Sequence, residues 1–411
     1  MAKNTLAIFF DLGDTIMDEG TEIKDAGGTT QSADLLPGMA GALHALRAQG
    51  HRLALVADAR PRTPLNVLGQ HGLLDLFQHL SISENVGIEK PAEGIFLDAL
   101  DALGVSQANF PGVLMVGNNL ERDILGANRL GLRSVFFHAN DRRRAIPVRG
   151  GEIPRYTVST AQELLELIAA LSVQVDGSQP PTYRGKEEAW QLAARYAPVI
   201  CFDAAEPFFP LVAGYSVFHG EEQSPSFLRR IARDWRPAWA TAVEYAIWWD
   251  WDIGHLYELE HVWVYLDSAG ELVWVEASSH GAYASMLREG RTIPCDGTHP
   301  IVYAQPGKHA FSPTPYWFEL YRDMVFAETS CRAGRGGVLV KEEYARQIAK
   351  TPANDALAAG WLRAQAFTPT MEFTRSFSIG PELLVPWPVL DTWIPLRVNH
   401  WLAQLGSEVA S

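Results

Sequence analysis

The sequence predicts two domains: an α/β domain built on a parallel sheet, followed by a β-rich sandwich domain that also carries helices. Three observations support this division. Short apolar runs alternate with helical patterns up to about residue 170, and all 13 tryptophans lie at or beyond Trp190. Between these regions, residues 173–188 ("VQVDGSQPPTYRGKEE") have the Gly, Ser and paired Pro residues of a linker. We therefore expect domains at 1–172 and 189–411.

The first domain contains five apolar runs that alternate with helical patterns: "LAIFF", "RLALVA", "LSIS", "GVLMVG" and "RSVFF". Helices are predicted over about 37–49, through "PLNVLGQHG", after Pro91 and after Asp123. Strands that are apolar throughout are typical of a parallel sheet covered on both faces. Thr160 and Glu163 form a capping box that starts the last helix of this domain.

The second domain lacks this alternation and shows aromatic and β-branched runs instead. "HVWVYLD" and "ELVWVEAS" are joined by "SAG", which predicts an antiparallel hairpin. Helices are expected near 186–197, 224–234 and 341–365. Together these elements predict a sandwich decorated with helices.

The composition excludes several classes of protein. The net charge of −14 opposes binding to nucleic acid, which needs clustered Lys and Arg. A hydrophobic content of 47% is typical of a globular chain, and no apolar run approaches the ~18 residues of a transmembrane helix. The three cysteines are too widely spaced for a disulfide framework, and no signal-peptide cleavage site follows the first residues. We therefore expect a cytoplasmic protein with no nucleic-acid partner and no transmembrane segment.

Polar residues follow the predicted strands of the first domain, where ligands collect in a parallel α/β sheet. They are Asp11 in "FFDLGDTI", the "ADAR" turn at 57–60, Lys90 in "GIEKP" and "GNNLERD" at 117–123. Their type and order resemble the haloacid dehalogenase-like superfamily, whose members are mostly phosphohydrolases, over roughly residues 5–170. The resemblance implies a Rossmann-like parallel sheet of that superfamily's type.

The resemblance also implies roles for individual residues. Asp11 matches the nucleophile that forms an aspartyl-phosphate, and Lys90 matches the cation that neutralises the phosphoryl oxygens. Asp123 and Asn118, with Asp11 and the main-chain carbonyl of Gly13, match the oxygen ligands of a magnesium ion. The implied cofactor is Mg²⁺, and the implied substrate is a small molecule.

Three positions depart from the superfamily's pattern. Gly13 replaces the aspartate that acts as general acid and base, Ala57 replaces a Ser or Thr donor, and Asn118 replaces a carboxylate. Asp14 is a candidate for the missing acid, although one step along an extended chain turns a side chain to the opposite face. The changes favour a slow, repurposed or inactive site over ordinary turnover. The segment after Thr15 is too short for a full cap domain, which leaves the site open to bulky substrates.

The densest group of titratable residues lies in 245–267, "YAIWWDWDIGHLYELEHVWVYLD". On a strand, Glu258 and Glu260 share one face, where two like carboxylates are costly unless a cation or proton lies between them. The candidates to complete such a site are His255, Asp252 and His280. Mixed His and carboxylate ligands suit a divalent ion such as Mg²⁺, Mn²⁺, Ca²⁺ or Zn²⁺. The alternative is an exposed acidic strand edge beside a histidine that makes its hydrogen bonds within the protein and binds no ion.

The stretch "GHLYELEHVWV" resembles the Gly-His-x-His-Asp-x-Glu motif of the necrosis- and ethylene-inducing toxin-like proteins and of a related vacuolar-sorting-associated family. The resemblance covers roughly residues 195–315 and includes "APVICFDAAEPFFP", "SSHGAY" and "HPIVYAQPGKHAF". It implies a β-sandwich that binds a divalent cation of unknown identity through His255, Glu258 and Glu260, with Tyr257 in place of the second His. In the toxin-like proteins that ion assists binding of glycolipid head groups, so a glycan or lipid head group is a candidate ligand.

Aromatic side chains near this group are candidate substrate contacts. Trp248, Trp249 and Trp251 are too close in sequence to face inward together on one strand, so at least one is expected at a surface or pocket. Trp249 and Trp251 are therefore predicted to contact a sugar ring, a cationic group or an isoprenoid chain. His309, in a segment rich in Gly and Pro, is a further candidate, with a solvated loop as the alternative.

Three functions are compatible with these patterns. The leading hypothesis is a cytoplasmic, metal-dependent hydrolase with phosphoester chemistry at Asp11. The second treats the first domain as a scaffold and assigns hydrolase, lyase or cyclase chemistry to His255, Glu258 and Glu260, with a bulky apolar or sugar substrate. The third is a module that binds a glycan or a lipid head group without chemistry.

Overall fold

The computed structural model describes residues 4–185 and 187–410, with side chains described up to residue 407. The chain divides into two compact units, with the boundary between Gln174 and Val175. The predicted linker at 173–188 contains this boundary. Its middle part is not a free linker, because Trp393 Nε1 donates to the main-chain carbonyls of Asp176 and Gln179 at 2.8 Å each.

The first unit is built on a parallel sheet. Its strands are β1 (Ala7–Phe10), β2 (Ile23–Lys24), β3 (Thr30–Ser32), β4 (Arg52–Ala57), β5 (Phe77–Ile82), β6 (Val113–Gly117), β7 (Arg133–Phe137) and β8 (Tyr156–Val158). Its helices are α1 (Met39–Ala48), α2 (Arg62–Gln70), α3 (Ser83–Val86), α4 (Glu93–Ala102), α5 (Leu125–Leu130) and α6 (Ala161–Leu171). Shorter helical turns lie at Glu19–Thr21, Leu74–Leu76, Gln107–Gly112, Leu120–Ile124 and Gly150–Glu152.

Six of these strands form one sheet in the order β5-β4-β1-β6-β7-β8, and all their pairings are parallel. The five predicted apolar runs correspond to β1, β4, β5, β6 and β7. Every residue of β1 and β6 is buried, as expected for central strands covered on both faces. Thr160 accepts the main-chain N–H of Glu163 at 3.1 Å and caps α6, which confirms the predicted helix start.

The second unit is rich in strands. They are β9 (Val199–Phe202), β10 (Val212–Phe218), β11 (Glu222–Gln223), β12 (Arg230–Ile231), β13 (Thr241–Trp251), β14 (His255–Leu266), β15 (Leu272–Ser279), β16 (Ala282–Ser285), β17 (Cys295–Asp296), β18 (His299–Ala304), β19 (Phe311–Ser312), β20 (Gly337–Val338), β21 (Arg375–Ser378) and β22 (Leu384–Pro386). The helices are α7 (Glu188–Tyr196), α8 (Tyr316–Leu320), α9 (Arg322–Thr329), α10 (Pro352–Ala364) and α11 (Trp387–Ala410), with short turns at Glu289–Arg291, Glu342–Tyr344 and Pro381–Leu383.

Two larger sheets organise this unit. One runs β16-β15-β14-β13-β10-β22 with β20 beside β14, and the other runs β17-β18-β9-β21 with β19 beside β18. Residues of both sheets share one hydrophobic core, among them Ile247 and Val262 from the first and Ile200 and Val302 from the second. The predicted hairpin is present as β14 and β15, which pair antiparallel.

Two predicted helices of the second unit differ from the structure. The stretch 224–234 forms turns and the short strand β12, because the hydroxyls of Ser224 and Ser226 donate to the buried Glu244 at 2.6 and 2.5 Å and hold the chain as a loop. The helix expected over 341–365 begins only at Pro352, where Thr351 caps it. Among the helices of the described residues, none combines the length and apolar character needed to cross a bilayer.

The tryptophans of β13 are all buried, which corrects the expectation that at least one lies at a surface. Trp249 belongs to the core shared by the two sheets. Trp248 points to the other face, where its ring centroid lies 6.0 Å from that of Trp393 in α11. Trp251 stacks on Trp361 of α10 at 4.2 Å. Both faces of the strand are covered, because helices late in the sequence pack on the side that was expected to be open.

Candidate functional site

Asp11 follows directly after β1, at the centre of the parallel sheet. β1 pairs with β4 on one side and with β6 on the other, so the loops after three neighbouring strands meet here. The Asp11 N–H donates to the carbonyl of Val116 at 2.9 Å, which extends the strand pairing by one residue. The Asp11 carboxylate is thereby held at the edge where a parallel sheet binds its ligands.

Lys90 lies between two carboxylates. Its Nζ is 2.7 Å from Asp11 Oδ1 and 2.7 Å from Asp123 Oδ1, and it donates to the carbonyl of Val56 at 3.0 Å. Burial lowers the pKa of Lys90, but the carboxylates of Asp11, Asp123 and Asp58 outweigh that effect and raise the pKa above its usual value. Lys90 is therefore a buried, charged cation in contact with Asp11.

Asp123 is fully buried on the loop after β6. Its Oδ2 accepts the main-chain N–H of Asn119 at 2.9 Å. A β-carbon at Gly117 would overlap this carboxyl group, so the close approach requires glycine there. Burial raises the pKa of Asp123 to about 7, while the charge of Lys90 opposes the shift. The carboxyl group is thus placed for an additional cation to stabilise its ionised form.

Asn118 supplies a buried oxygen beside these carboxylates. Its Oδ1 accepts no hydrogen bond from any described residue, and a buried acceptor without a donor is costly unless a ligand meets it. The carboxylates of Asp11 and Asp123 and the amide oxygen of Asn118 are ligands of the type that Mg²⁺ prefers. The residues present therefore fit a hard divalent cation.

Asp14 takes no part in this cluster. Its backbone is left-handed, with φ of 47°, and its side chain is buried. Asp14 Oδ1 accepts the N–H of Glu19 at 3.1 Å and pairs with Arg142, which also lies 2.7 Å from Asp18. The structure thus gives Asp14 an anchoring role within the loop after β1, in place of the predicted role as general acid.

A cavity of about 410 Å³ opens at this edge of the sheet. The predicted residues that line it are Asp11, Gly13, Lys90, Asn118 and Asp123. Sequence reasoning did not single out Asp58, whose carboxylate accepts the N–H of Lys90 at 3.0 Å and pairs with Arg122 at 2.8 Å. The available signal was its place in the "ADAR" turn that follows β4.

Glu19 reaches the same cavity from the helical turn after the Asp11 motif. Its carboxylate occupies the place where a β-carbon at Gly13 would project. Arg143 lies 3.0 and 3.1 Å from its two oxygens. Burial raises the pKa of Glu19; Arg143 opposes this, whereas Asp14 and Asp11 raise it further. Sequence reasoning missed Glu19 because no motif marks a contact between two loop positions.

A second cluster, in the second unit, consists of Asp252, His255 and Glu258, from the turn between β13 and β14 and the start of β14. One ligand atom of each lies within 4.8 Å of the others. Asp252 Oδ1 shapes the turn by accepting the N–H groups of Gly254 and His255 at 2.6 Å each. His255 Nδ1 lies 2.9 Å from the carbonyl of Tyr257, so Nδ1 carries the proton and Nε2 keeps a lone pair for a ligand.

Glu260 adds a further carboxyl group to this region. Glu258 and Glu260 pair with Trp249 and Ile247, so both face the core between the two sheets, and both are buried. The alternative of an exposed acidic strand edge is therefore wrong. Burial raises the pKa of Glu258 well above its usual value and that of Glu260 to about 7, and the charge of Asp252 adds to both shifts.

A lysine and a serine partly compensate these carboxyl groups. Lys308 pairs with Asp252, and its charge lowers the pKa values of Glu258 and Glu260. The Ser278 hydroxyl donates to Glu260. Lys341 also lowers the pKa of Glu260, but burial still raises the pKa values of both glutamates, so this cluster has capacity for a proton or a cation.

Four other side chains were predicted to contribute to this second site: His280, His309, Trp249 and Trp251. His280 is exposed and hydrogen-bonds Gln305 Oε1 at 2.9 Å, outside the Asp252–His255–Glu258 group. His309 is fully buried; it stacks on Trp249 with centroids 4.7 Å apart and lies 3.2 Å from Glu206 Oε1. With Trp249 and Trp251 also buried, none of these three side chains is available to a substrate as predicted, because the core of the unit encloses them.

Residues 11–131 match the family described as haloacid dehalogenase-like hydrolase. A glyceraldehyde 3-phosphate phosphatase of Methanopyrus kandleri is 30% identical over 127 residues, which are 31% of this chain and 53% of the relative. The pyrimidine 5'-nucleotidase YjjG of Escherichia coli is 35% identical over 133 residues, 32% of this chain and 56% of the relative. The crystal structure of a HAD phosphatase from Thermococcus onnurineus is 27% identical with a TM-score of 0.30, covering 35% of this chain and 61% of that one.

The family match lies within the first unit. The N-terminal region is therefore a haloacid dehalogenase-like hydrolase domain, followed by a strand-rich unit with helices. The chain spans about half the length of the curated relatives it matches.

Proposed function

We propose that the first unit is a magnesium-dependent phosphohydrolase that acts on a small phosphate monoester. The relatives named above are phosphatases and a nucleotidase, which supports a phosphoester substrate. The observation that carries the proposal is the position of Lys90, which lines a polar cavity and whose Nζ lies 2.7 Å from both Asp11 and Asp123. A cation held there both orients the nucleophile and meets the charge of a phosphoryl group.

The residues have distinct parts in this reaction. Asp11 attacks phosphorus and forms an aspartyl-phosphate, which divides the displacement into two easier steps. Lys90 neutralises the phosphoryl oxygens as charge builds on them. Asp11, Asp123, Asn118 and the carbonyl of Gly13 would hold Mg²⁺, which when bound neutralises phosphoryl charge and orients the substrate. The substitutions at Gly13, Ala57 and Asn118 leave these contacts in place, which supports turnover over an inactive site.

The test is hydrolysis of an activated aryl phosphate at saturating Mg²⁺. Asp11→Asn removes the nucleophile with little change in size, and we expect it to abolish turnover. Asp101→Asn changes an exposed carboxylate at the end of α4 and serves as the matched control. Equal rates for the wild type and Asp11→Asn would contradict the proposal.

A second candidate function belongs to the strand-rich unit. We propose that Asp252, His255 and Glu258 bind a divalent cation there, with Glu260 near them, and that this ion serves binding of a glycan or lipid head group, or hydrolase, lyase or cyclase chemistry. The 4.8 Å grouping of three ligand atoms favours it, as does the likeness of this stretch to the toxin-like proteins. The phosphohydrolase assignment does not depend on this second site.

Metal analysis of the purified protein separates the two sites. An ion bound in the second unit persists in Asp11→Ala and is lost in His255→Ala. His219→Ala changes a histidine of the same unit outside the cluster and is the control. An ion that survives His255→Ala but not Asp11→Ala would contradict the second candidate.

A cytoplasmic location also belongs to the proposal, because the free thiols of Cys201, Cys295 and Cys331 fit a reducing compartment.

A further inference from the structure

The cavity beside Asp11 lacks the proton donor that the reaction needs at position 13. When a carboxylate displaces an alcohol from phosphorus, the departing oxygen requires a proton unless it leaves as a stable anion. Gly13 has no side chain to supply one. The carboxyl groups that line the cavity, among the described residues, are Asp11, Glu19, Glu22, Asp58 and Asp123.

Most of these carboxyl groups already have other partners. Asp11 is the nucleophile, and Asp123 is fully buried against the ammonium of a lysine. Asp58 accepts hydrogen bonds on both of its oxygens. Glu22 accepts the hydroxyl of Thr30 at 2.6 Å and lies in an ion pair. Glu19 is also paired, because Arg143 contacts both of its oxygens, so its position in the cavity is what distinguishes it from the other carboxyl groups.

Glu19 also has the right position. Its carboxylate lies where a side chain at Gly13, two residues after Asp11, would project, and Asp11 and Glu19 line the same cavity. Its side chain is 32% exposed, so water reaches it. Asp14 accepts its main-chain N–H at 3.1 Å, and Arg143 holds its carboxylate at 3.0 Å. The loop thus presents a carboxyl group to the cavity from position 19, whereas the motif would present it from position 13.

We infer that Glu19 is the general acid and base of this site, in place of the missing side chain at position 13. The inference rests on the proposed phosphohydrolase function. In the first step Asp11 Oδ bonds to phosphorus, the bond to the leaving oxygen breaks, and the Glu19 carboxylic acid gives its proton to that oxygen. In the second step the Glu19 carboxylate takes a proton from water, whose oxygen attacks phosphorus. The bond to Asp11 then breaks, inorganic phosphate leaves, and both carboxyl groups return to their starting states.

Glu19→Gln tests this role because the amide keeps the size of the side chain and cannot transfer the proton. We expect the rate constant for phosphorylation of Asp11 by an alkyl phosphate, measured in a single turnover, to fall by about 100-fold or more, whereas the same rate constant for p-nitrophenyl phosphate falls far less because its leaving group departs as a stable anion. With labelled aryl phosphate the variant accumulates a covalent phosphoenzyme, because attack by water is slowed. Glu93→Gln, at an exposed site on α4, is the control and accumulates none.

Moving the carboxyl group back gives an independent test. Gly13 has no left-handed backbone, so an aspartate fits its conformation once the space is cleared. We expect Gly13→Asp combined with Glu19→Ala to recover alkyl phosphatase activity that Glu19→Ala alone has lost. Failure of the double variant to exceed the single one would overturn the inference.

The outcomes also separate this inference from the proposed function. An unchanged ratio of the alkyl to the aryl rate constant for phosphorylation of Asp11 in Glu19→Gln, in a protein whose activity still depends on Asp11, overturns the role of Glu19 alone. Activity that is indifferent to Asp11→Asn overturns the phosphohydrolase proposal and this inference with it.

Discussion

Each unit brings several carboxyl groups together, but the two clusters differ in how a lysine meets them. There, Lys90 Nζ lies 2.7 Å from both Asp11 and Asp123. In the second unit, Lys308 pairs with Asp252 and leaves neighbouring glutamates with raised pKa values. Burial raises the pKa of Asp123 in the first cluster as well, but there Lys90 contacts the raised carboxyl group directly. In the second cluster Lys308 pairs with Asp252 and not with the glutamates, which therefore depend more on protons or an added cation.

The largest expected effect is the loss of the bridging lysine. Lys90→Met leaves two carboxylates close together without their cation, and we expect it to abolish turnover and to lower the free energy of unfolding by about 3–5 kcal/mol. Unfolding in urea, followed by circular dichroism, measures the change. Lys24→Met removes a half-exposed lysine paired with Glu22 and should cost less than about 1 kcal/mol. Similar losses in both variants would contradict the contrast between a buried and an exposed pair.

The next effect is a pH dependence in the second unit. The pKa of Glu260 is raised from 4.5 to about 7, so the folded state binds this proton more tightly than the unfolded state. Its contribution to stability is complete below pH 4.5 and is lost as pH rises through about 7, on the order of 3 kcal/mol in the absence of a divalent ion. Urea titrations in chelator, followed by tryptophan fluorescence, measure it, since all 13 tryptophans lie at or beyond Trp190.

Glu260→Gln is the matched variant for this pH dependence. It removes the titrating group and keeps the size of the side chain, so the fall in stability between these pH values should be smaller than in the wild type. A wild-type stability that rises over the same range would show that Glu260 is not the group responsible.

A smaller effect is expected at the loop that carries Glu19. Arg142→Met leaves the buried carboxylate of Asp14 without its ion pair, so we expect a larger loss of unfolding free energy than for loss of the neighbouring Arg143. Asp14→Asn in the same background should restore part of the loss, because the uncharged amide no longer needs the arginine. Thermal unfolding of the single and double variants gives the coupling between the two residues.

The smallest effect is expected for Arg143, the residue that follows Arg142. Arg143→Met removes a pair with Glu19 in which both side chains are more than 30% exposed, so the free energy of unfolding should change by less than about 1 kcal/mol. The same thermal measurement distinguishes it from Arg142→Met. Equal losses of unfolding free energy in the two arginine variants would mean that burial of the partner carboxylate does not determine the cost of removing the ion pair.

Much of the first unit follows from local pattern. Continuous apolar runs predict buried parallel strands, and parallel strands bring their carboxyl ends to one edge. Asp11, Lys90 and Asp123 are distant in sequence but follow such strands, so their meeting was predictable. The anchoring of Asp14 by Arg142 was not, because it joins two loops of irregular conformation.

The second unit was harder to predict for the same reason. His255, Glu258 and Asp252 lie within one turn and strand, where alternation of side chains already suggests a cluster. The burial of Trp249, Trp251 and His309 depends on which distant helices cover each sheet face, and the periodicity of one strand carries no information about that.

By itself, the sequence determined the division into two units, the parallel strands of the first, the residues at their ends, and the acidic cluster of the second, because each is encoded within a few neighbouring residues. Only the tertiary structure decided that Glu19 fills the space left by Gly13, that Lys90 bridges two carboxylates, and that the tryptophans of β13 are enclosed. These features depend on packing between segments far apart in the chain, which local pattern does not specify.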